Sequence, residues 1–422
     1  MREMKDSGIE WVGQIPFSWD VKPIRAKFKE VTEKNKLGIE KNALKFTYGN
    51  IVKKDNFDAA DDDYVANTIL NYMVVNPGTI MLNGLNLNFD FVTQRVALVK
   101  ERGIITSAYI AFAPILDDDI STQFFTYLLK AYDSCKAFHN MGGGVRKILN
   151  FAELKKQYIV YPTITEQKRI ANFLDAKCAE IDALTADIQA QIDTLEQYKR
   201  SVITEAVTKG LNPDAEMKDS GVFYMAPMNA KWRLTKIGYI CTKLSRLFTP
   251  EDTALICSNS GKVLVRPDDV TGKMVSDDNA MQGIHAGDIA IHGMDTWHGA
   301  IALSDYDGKI TRVVHVCDST EDKRFIVYYL QHLAFQGVYK LISNGVRGNT
   351  SDFRSWDKVS DIWIAIPKTK EEQKNICDYL DRQCKSIEIV IAEKKEQIEV
   401  LDEYKKSLIY EYVTGKKEVP AI

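Results

Sequence analysis

The chain states one long passage twice. TEQKRIANFLDAKCAEIDALTADIQAQIDTLEQYKRSVITEAVT, from Thr165 to Thr208, returns as KEEQKNICDYLDRQCKSIEIVIAEKKEQIEVLDEYKKSLIYEYVT, from Lys370 to Thr414. The offset is 206 residues, read from Glu166 to Glu372 and from Tyr198 to Tyr404. A shorter passage also recurs: MKDSGIEWVGQIPFSW (Met4–Trp19) comes back as MKDSGVFYMAPMNAKW (Met217–Trp232). Self-similarity at a fixed period constrains a fold more than composition does. The expected order is globule, long helix, globule, long helix, with an internal pseudo-twofold.

Each long passage opens on a helix start signal. Thr163-x-x-Glu166 and Thr369-x-x-Glu372 match a capping box, in which the threonine oxygen accepts from a free amide of the first turn and the glutamate reaches back. Pro162 and Pro367 discourage earlier helix, while Gly210 with Pro213, and Gly415, end the two passages. Between them Leu174, Ile181, Ile188, Leu195 and Val202 recur every seven residues, answered in phase by Leu380, Ile387, Lys394, Leu401 and Leu408. A second seam is expected through Ile170, Leu184 and Tyr198, and through Ile376, Val390 and Tyr404, interrupted by Lys177, Gln191 and Lys394. Ordinary amphipathic helices laid over a core are the plainer reading. Equal length and phase favour two helices that pair as an antiparallel coiled coil, a rod of about 65 Å for roughly 44 residues. Such a rod would hold two globules at a set separation.

At 422 residues the chain is too long for a single core. With 45% apolar and 27% charged residues it has globular composition. No apolar run approaches the ~20 residues of a membrane span, and MREMKDSGIEW lacks the apolar stretch of a signal peptide. Seven cysteines without a C-x-x-C pair suit reduced thiols and a cytoplasmic location. The net charge of −3 does not advertise a nucleic-acid binder, so basic groups would have to be sorted onto one face or supplied by partners.

The intervening segments, Val21–Tyr161 and Leu234–Ile366, differ in sequence but share landmarks. NPGTIMLNG (Asn76–Gly84) lines up with HAGDIAIHG (His285–Gly293), each predicting a glycine turn, a strand and a loop. RVALVKERGIITSAYIAF (Arg95–Phe112) and AIALSDYDGKITRVVHVC (Ala300–Cys317) both predict strand, turn at Gly103 or Gly308, and strand. Helical stretches QFFTYLLKAY and RFIVYYLQHLAF follow, and then loops ending in Gly144-Val145-Arg146 and Gly345-Val346-Arg347. Matched scaffolds with unlike loops suggest that each copy reads something different, since loops on a rigid frame carry recognition.

With these motifs assembled, the chain resembles the specificity (S) subunit of type I restriction-modification systems. The resemblance rests on MKDSGIEWVGQIPFSWDVKPI, on GTI and GDI before the loop of each globule, on GGGVRKILNFAELKKQYIVYPTITEQKRIANFLD, and on the helix ending YKRSVITEAVTKG. It spans the whole chain in the family's order. The second copy departs from the pattern with Tyr224 in place of Trp11 and Asn229 in place of Pro16, and RGNTSDFRSWDKVSDIWIAIP matches its counterpart only loosely.

The resemblance implies an α+β fold: two mixed α/β target-recognition domains separated by two long antiparallel coiled-coil helices. The implied divisions are 1–161 (recognition domain, with the motif at 4–19), 162–216 (central helix), 217–366 (second recognition domain) and 367–422 (C-terminal helix). It further implies a subunit without catalysis of its own that reads a bipartite site on double-stranded DNA and docks two modification (M) subunits. Those subunits would methylate adenine with S-adenosylmethionine. Restriction (R) subunits would add cleavage of unmethylated DNA using ATP and Mg. The rival reading is a coiled-coil protein–protein adaptor that never meets DNA.

The residues themselves suggest no chemistry in this chain. Lys262, Lys273, Lys309 and Lys416 follow glycine but lack the Ser/Thr of a phosphate-binding loop. Asn76-Pro77-Gly78 and Asn212-Pro213-Asp214 read as turns, not as an amino-methyltransferase motif, and G-x-S-x-G is missing. His285, His292, His298 and His315 with Asp288 and Asp295 could in principle hold a metal, but the spacing matches no known ligand set and no metal is expected. Cys178 and Cys384, equivalent on the two helices, are expected to be packing residues. Trp19 and Trp232 are expected to be core anchors.

Base readout needs amide, guanidinium or ammonium groups at base edges. In the first globule the candidates are Asn83, Asn86, Asn88, Gln94 and Arg95, then Thr106, Ser107 and Tyr109, with Arg146 and Lys147 on phosphates. In the second they are His292, Asp295, Thr296, Trp297 and His298, then Lys309, Thr311, Arg312, Arg347, Asn349 and Thr350. Gly142, Gly143 and Gly144 would allow a sharp loop. The candidate seam residues are Leu174, Ile181, Leu184, Ile188, Leu195, Val202, Leu380, Ile387, Val390, Leu401 and Leu408.

Overall fold

The computed structural model describes residues 2–54, 69–92, 94–116, 118–141, 143, 147–267, 280–343 and 352–420. The chain forms two compact units, Met1–Ile188 with Glu396–Ile422, and Gln189–Lys395. Both long helices, Ile164–Thr208 and Lys370–Val413, pass from one unit to the other. Each unit thus holds one globule and part of each helix, a grouping that cuts across the four consecutive segments read from the sequence.

The two globules share one topology. In the first, a four-stranded antiparallel sheet runs in the order Phe28–Glu30, Ile110–Pro114, Ile80–Leu82, Val96–Leu98. In the second the order is Cys241–Lys243, Val314–Ser319, Ile289–His292, Ile301–Leu303. Each sheet is accompanied by a two-stranded ladder, Met73–Val75 with Gly103–Ile105 and Met281–Ile284 with Gly308–Thr311. Gly103 and Gly308 therefore begin a middle strand; the simple strand-turn-strand reading is corrected. The hairpins Leu44–Thr47/Asn50–Lys53 and Leu255–Cys257/Val263–Val265 also correspond.

The helices Thr122–Ser134 and Lys323–Phe335 form where apolar residues fall at helical spacing behind Ser121 and Asp322, whose side chains accept first-turn amides. Both bury Phe124-Phe125 or Phe325-Ile326 in the core of their unit, beside Trp19 and Trp232, which are 0% and 2% exposed. The two tryptophans are core anchors, as expected. The degenerate second opening motif folds like the first, since Met217 pairs with Asn229 as Met4 pairs with Pro16.

Inside each unit the long-helix segments run antiparallel. In the first, Asp182 meets Lys405 at 2.6 Å, and the rings of Phe173 and Tyr412 lie 4.6 Å apart. In the second, Glu388 meets Lys199 at 2.5 Å, and Lys394 donates to Gln191 at 2.5 Å. Lys394 thus satisfies its charge at the seam by reaching across to an amide.

The first seam is as expected: Leu174, Ile181, Ile188, Val202, Leu380, Ile387 and Leu408 are buried, with Leu195 and Leu401 half-buried. Of the second seam Ile170 and Ile376 are buried as expected; beyond them the line is displaced by one residue. Leu184 and Val390 are 48% and 36% exposed, and Tyr198 and Tyr404 are exposed as well. The buried line passes instead through Ala171, Cys178, Ile192 and Ala206 on one helix and Cys377, Cys384 and Ile391 on the other. Leu184 and Val390 stand one position off the buried line, which is occupied by Ala, Cys and Ile side chains. Cys178 and Cys384 are buried, as their packing role requires, and burial pushes both thiols up. Among the described residues no helix is long and apolar enough to cross a membrane.

Candidate nucleic-acid interface

The start of each long helix fastens it to a globule. Thr163 Oγ1 accepts the Glu166 amide at 3.4 Å and Thr369 Oγ1 that of Glu372 at 3.3 Å, half of the expected capping box. The glutamates do not close the other half. Glu166 accepts the indole N–H of Trp19 at 2.9 Å and Glu372 that of Trp232 at 2.8 Å. The next residue, fully buried Gln167 or Gln373, accepts the backbone amide of the globule-helix N-cap, Ser121 or Asp322, at 2.8 and 2.9 Å. Two turns further, Asp175 accepts from Tyr127 and Asp381 from Tyr328, each at 2.7 Å. The repeated Glu-Gln pair and the aspartate eight or nine residues on thus have one role: they orient a globule on its helix. Sequence reasoning missed Gln167, Gln373 and both aspartates, although their repetition was the available signal.

The candidate loops rest on a second shared contact. Gly84 O accepts from Leu149 N at 2.9 Å, and Gly293 O accepts from Phe353 N at 3.0 Å. A Cβ at Gly84 would stand 2.4 Å from Leu149 O, and one at Gly293 would stand 2.8 Å from Phe353 O. Only glycine admits that approach. It aligns Leu149 with Phe353, and the short helix Phe151–Leu154 with Trp356–Ser360, which the sequences alone match only loosely.

Beyond these glycines the loops are built differently. In the first globule Arg95 is buried and holds the loop from within. Its guanidinium donates to Asn83 O at 3.1 Å, Leu85 O at 2.8 Å and Asp90 O at 2.7 Å, with the Asp90 carboxylate at 3.6 Å. Its own amide donates to Asp133, whose carboxyl burial pushes up. Arg95 is therefore placed inside the loop and not at the surface expected for a base contact. Asn86, Gln94 and Lys147 are exposed, while Asn83 and Asn88 are half-buried. Asn86 and Lys147 both take left-handed backbone, at φ 52° and 37°. Thr106 and Ser107 cap a turn, with Ser107 Oγ on Asn71 O at 3.2 Å, and Tyr109 packs on Phe46.

In the second globule His292 organises the loop. Its Nδ1 accepts the amides of Met294 and Asp295 at 3.3 and 3.1 Å, so Nε2 carries the proton. Burial pushes this imidazole down and keeps it neutral, outweighing the Asp295 carboxylate 3.2 Å away. His298 is exposed, Asp295 and Trp297 are half-buried, and Thr296 is buried at the turn. Lys309 is buried with its ammonium on Pro250 O at 2.7 Å, so it too lies inside and not at the expected surface. Arg312 is exposed with Nε on Met281 O at 2.9 Å, and Thr311 is half-buried. Arg146, Arg347, Asn349 and Thr350, together with Gly142 and Gly144, lie outside the described residues.

The histidines and aspartates weighed as metal ligands are dispersed. Asp288 is buried in a bidentate pair with Arg246 at 2.5 and 2.8 Å, and His315 is buried with Nε2 against Phe353 O at 2.7 Å. Among the described residues no group of three or more His, Cys, Asp or Glu is placed to hold a metal ion.

The globules are a duplicated α+β frame, matched in topology and unlike in their loops. Residues 22–194 match the type I restriction modification DNA specificity domain. Over 97% of this chain and 96% of the relative, it is 21% identical to a putative type I restriction enzyme MjaX specificity subunit of Methanocaldococcus jannaschii. A solved chain, from work on complex assembly and conformational transition of the type I R-M system, superposes with a TM-score of 0.65. That likeness covers 96% of this chain and 99% of the other at 14% identity, and so speaks for the fold. The stretch 22–194 is thus similar to that family's DNA specificity domain, and the chain along its length is similar to a type I specificity subunit.

Proposed function

We propose that this chain reads a bipartite site on duplex DNA, one half-site per globule, and directs partner subunits to it. The observation that carries the reading is the pair of loops at Gly84 and Gly293. The same glycine contact presents two unlike sets of polar groups: exposed Asn86 and Gln94 on the loop that Arg95 holds from within, and Asp295, whose amide His292 accepts, with exposed His298. The candidate contact residues named from the sequence that reach the surface are proposed to meet base edges or phosphates.

The long helices are proposed to set the unread gap and to dock two modification subunits. Exposed apolar residues recur on them in corresponding positions: Leu184 and Tyr404 in the first unit, Val390 and Tyr198 in the second. Paired apolar patches suit two copies of one partner. The partners would supply S-adenosylmethionine-dependent adenine methylation and, with restriction subunits, ATP- and Mg-dependent cleavage.

The test is methylation by the chain assembled with its M subunit and S-adenosylmethionine. Methylation confined to DNA carrying one split sequence, and lost when either half is scrambled, is the expected result. Indifference to scrambling would overturn the reading.

A further inference from the structure

The loop of the first globule carries something the second lacks. Phe89 is 72% exposed, Phe91 53% and Val92 92%, three apolar groups within four residues on one tip. The tip is rigidly built. Carbonyls of Asn83, Leu85 and Asp90 are turned inward onto the buried Arg95 guanidinium. His139, itself buried, meets Asp90 O at 3.0 Å and stacks on Phe91 with centroids 4.8 Å apart. Lys136 donates its ammonium to Phe91 O. A buried guanidinium is a costly way to shape a loop, so the shape it enforces has a use.

What that shape exposes is apolar at the centre and cationic or amide at the rim. Among the described residues Lys136, on Phe91 O, and Lys147, whose carbonyl accepts from Leu87, are cations bordering the tip, while Asp90 is engaged by Arg95. Asn86 and Gln94 flank it. An apolar partner surface on another protein would not call for this rim. A base stack bordered by phosphates does.

We infer that Phe89, Phe91 and Val92 form a wedge that enters a base step of the half-site read by the first globule, unstacking it and bending the duplex. Recognition there then depends on how readily that step opens, as well as on direct hydrogen bonds. In the second globule Trp297, on the equivalent loop, packs against the core with its Nε1 buried, so that loop presents no matching apolar tip. This inference rests on the DNA-reading role proposed above.

The experiment uses the full chain with its M subunit and duplexes carrying 2-aminopurine at successive positions of both half-sites. Phe89→Ala/Val92→Ala is the variant, because both side chains are largely in solvent and the Phe91–His139 stack is left intact. Apart from the target adenines, which a methyltransferase extrudes from the stack in either half-site, the expected result is a fluorescence rise at one step of one half-site with the wild type. In the variant that rise is lost and DNA affinity falls about tenfold, as removal of an inserted apolar group predicts. Specific binding with no fluorescence rise at any position besides the target adenines overturns the wedge and leaves the DNA-reading role standing. So does an unchanged rise in the variant. Loss of M-subunit co-purification in the variant overturns it in favour of a protein-docking surface. No sequence-dependent binding by the wild type overturns both proposals.

Discussion

Trp19 donates its indole N–H to Glu166 at 2.9 Å, and Trp232 repeats the contact on Glu372 at 2.8 Å. Each tryptophan ends the opening motif of a globule, and each glutamate stands in the first turn of a long helix. The orientation of a recognition domain on its helix therefore depends on a charge-assisted bond to a buried indole. Glu372→Ala leaves that indole unpaired and should cost about 1–3 kcal/mol in urea unfolding. In a double-mutant cycle with Trp232→Phe, about 1–2 kcal/mol of this should appear as coupling. Strict additivity would show that the bond does not join the two elements.

The tyrosine–aspartate contacts two turns along are a separate fastening. Tyr328→Phe and Tyr127→Phe should each lower stability by about 1 kcal/mol, the net value of one hydrogen bond. Because the bonds lie in different units, their effects should add in the double variant. A combined loss well above the sum, measured by thermal unfolding, would contradict that independence.

His332 is buried 3.0 Å from Thr204 Oγ1, and burial pushes its imidazole down to about 4 from the ordinary 6.5. Between those values the unfolded chain binds the proton and the folded chain does not, so stability rises with pH there. The contribution is intact above about pH 6.5 and is lost as pH falls towards 4, amounting to about 3 kcal/mol at the low end. His332→Gln should flatten this part of the profile. Wild type and variant losing stability in parallel from pH 7.5 to pH 4.5 would refute it.

Gly84 and Gly293 admit a neighbouring backbone that any Cβ would strike. Gly293→Ala should destabilise by about 1–3 kcal/mol through forced displacement of Phe353 and Arg354. On the proposed reading, discrimination at the half-site assigned to the second globule should weaken while the other is retained. Equal weakening at both half-sites, in a methylation assay on singly scrambled DNA, would argue against a local effect.

Much of this architecture was readable in the chain, for a physical reason. The heptad of Leu174, Ile181, Ile188 and Val202 is a local pattern, and so are the Thr caps, Gly210 and Gly415. Local patterns survive in a linear sequence. The displaced part of the second seam was not readable, because which side of a helix is buried is set by pairing between distant segments, and Leu184 is apolar without lying on that side. The loop at Asn83–Gln94 shows the same division. Its asparagines and Gln94 were correctly expected near a turn, but Arg95 was expected outward and is folded inward.

The sequence alone determined that the protein is duplicated, that its helices match in phase, and that its globules share landmarks but not loops. Those properties are carried by periodicity and repetition, which need no partner to be seen. Tertiary structure decided which repeated residues fasten a globule to a helix, and that each unit gathers parts of both helices. It also decided which loop residues face inward. Those choices depend on contacts between segments far apart in the chain, such as Trp19 with Glu166 and Gly293 with Phe353, where geometry and burial select the partner.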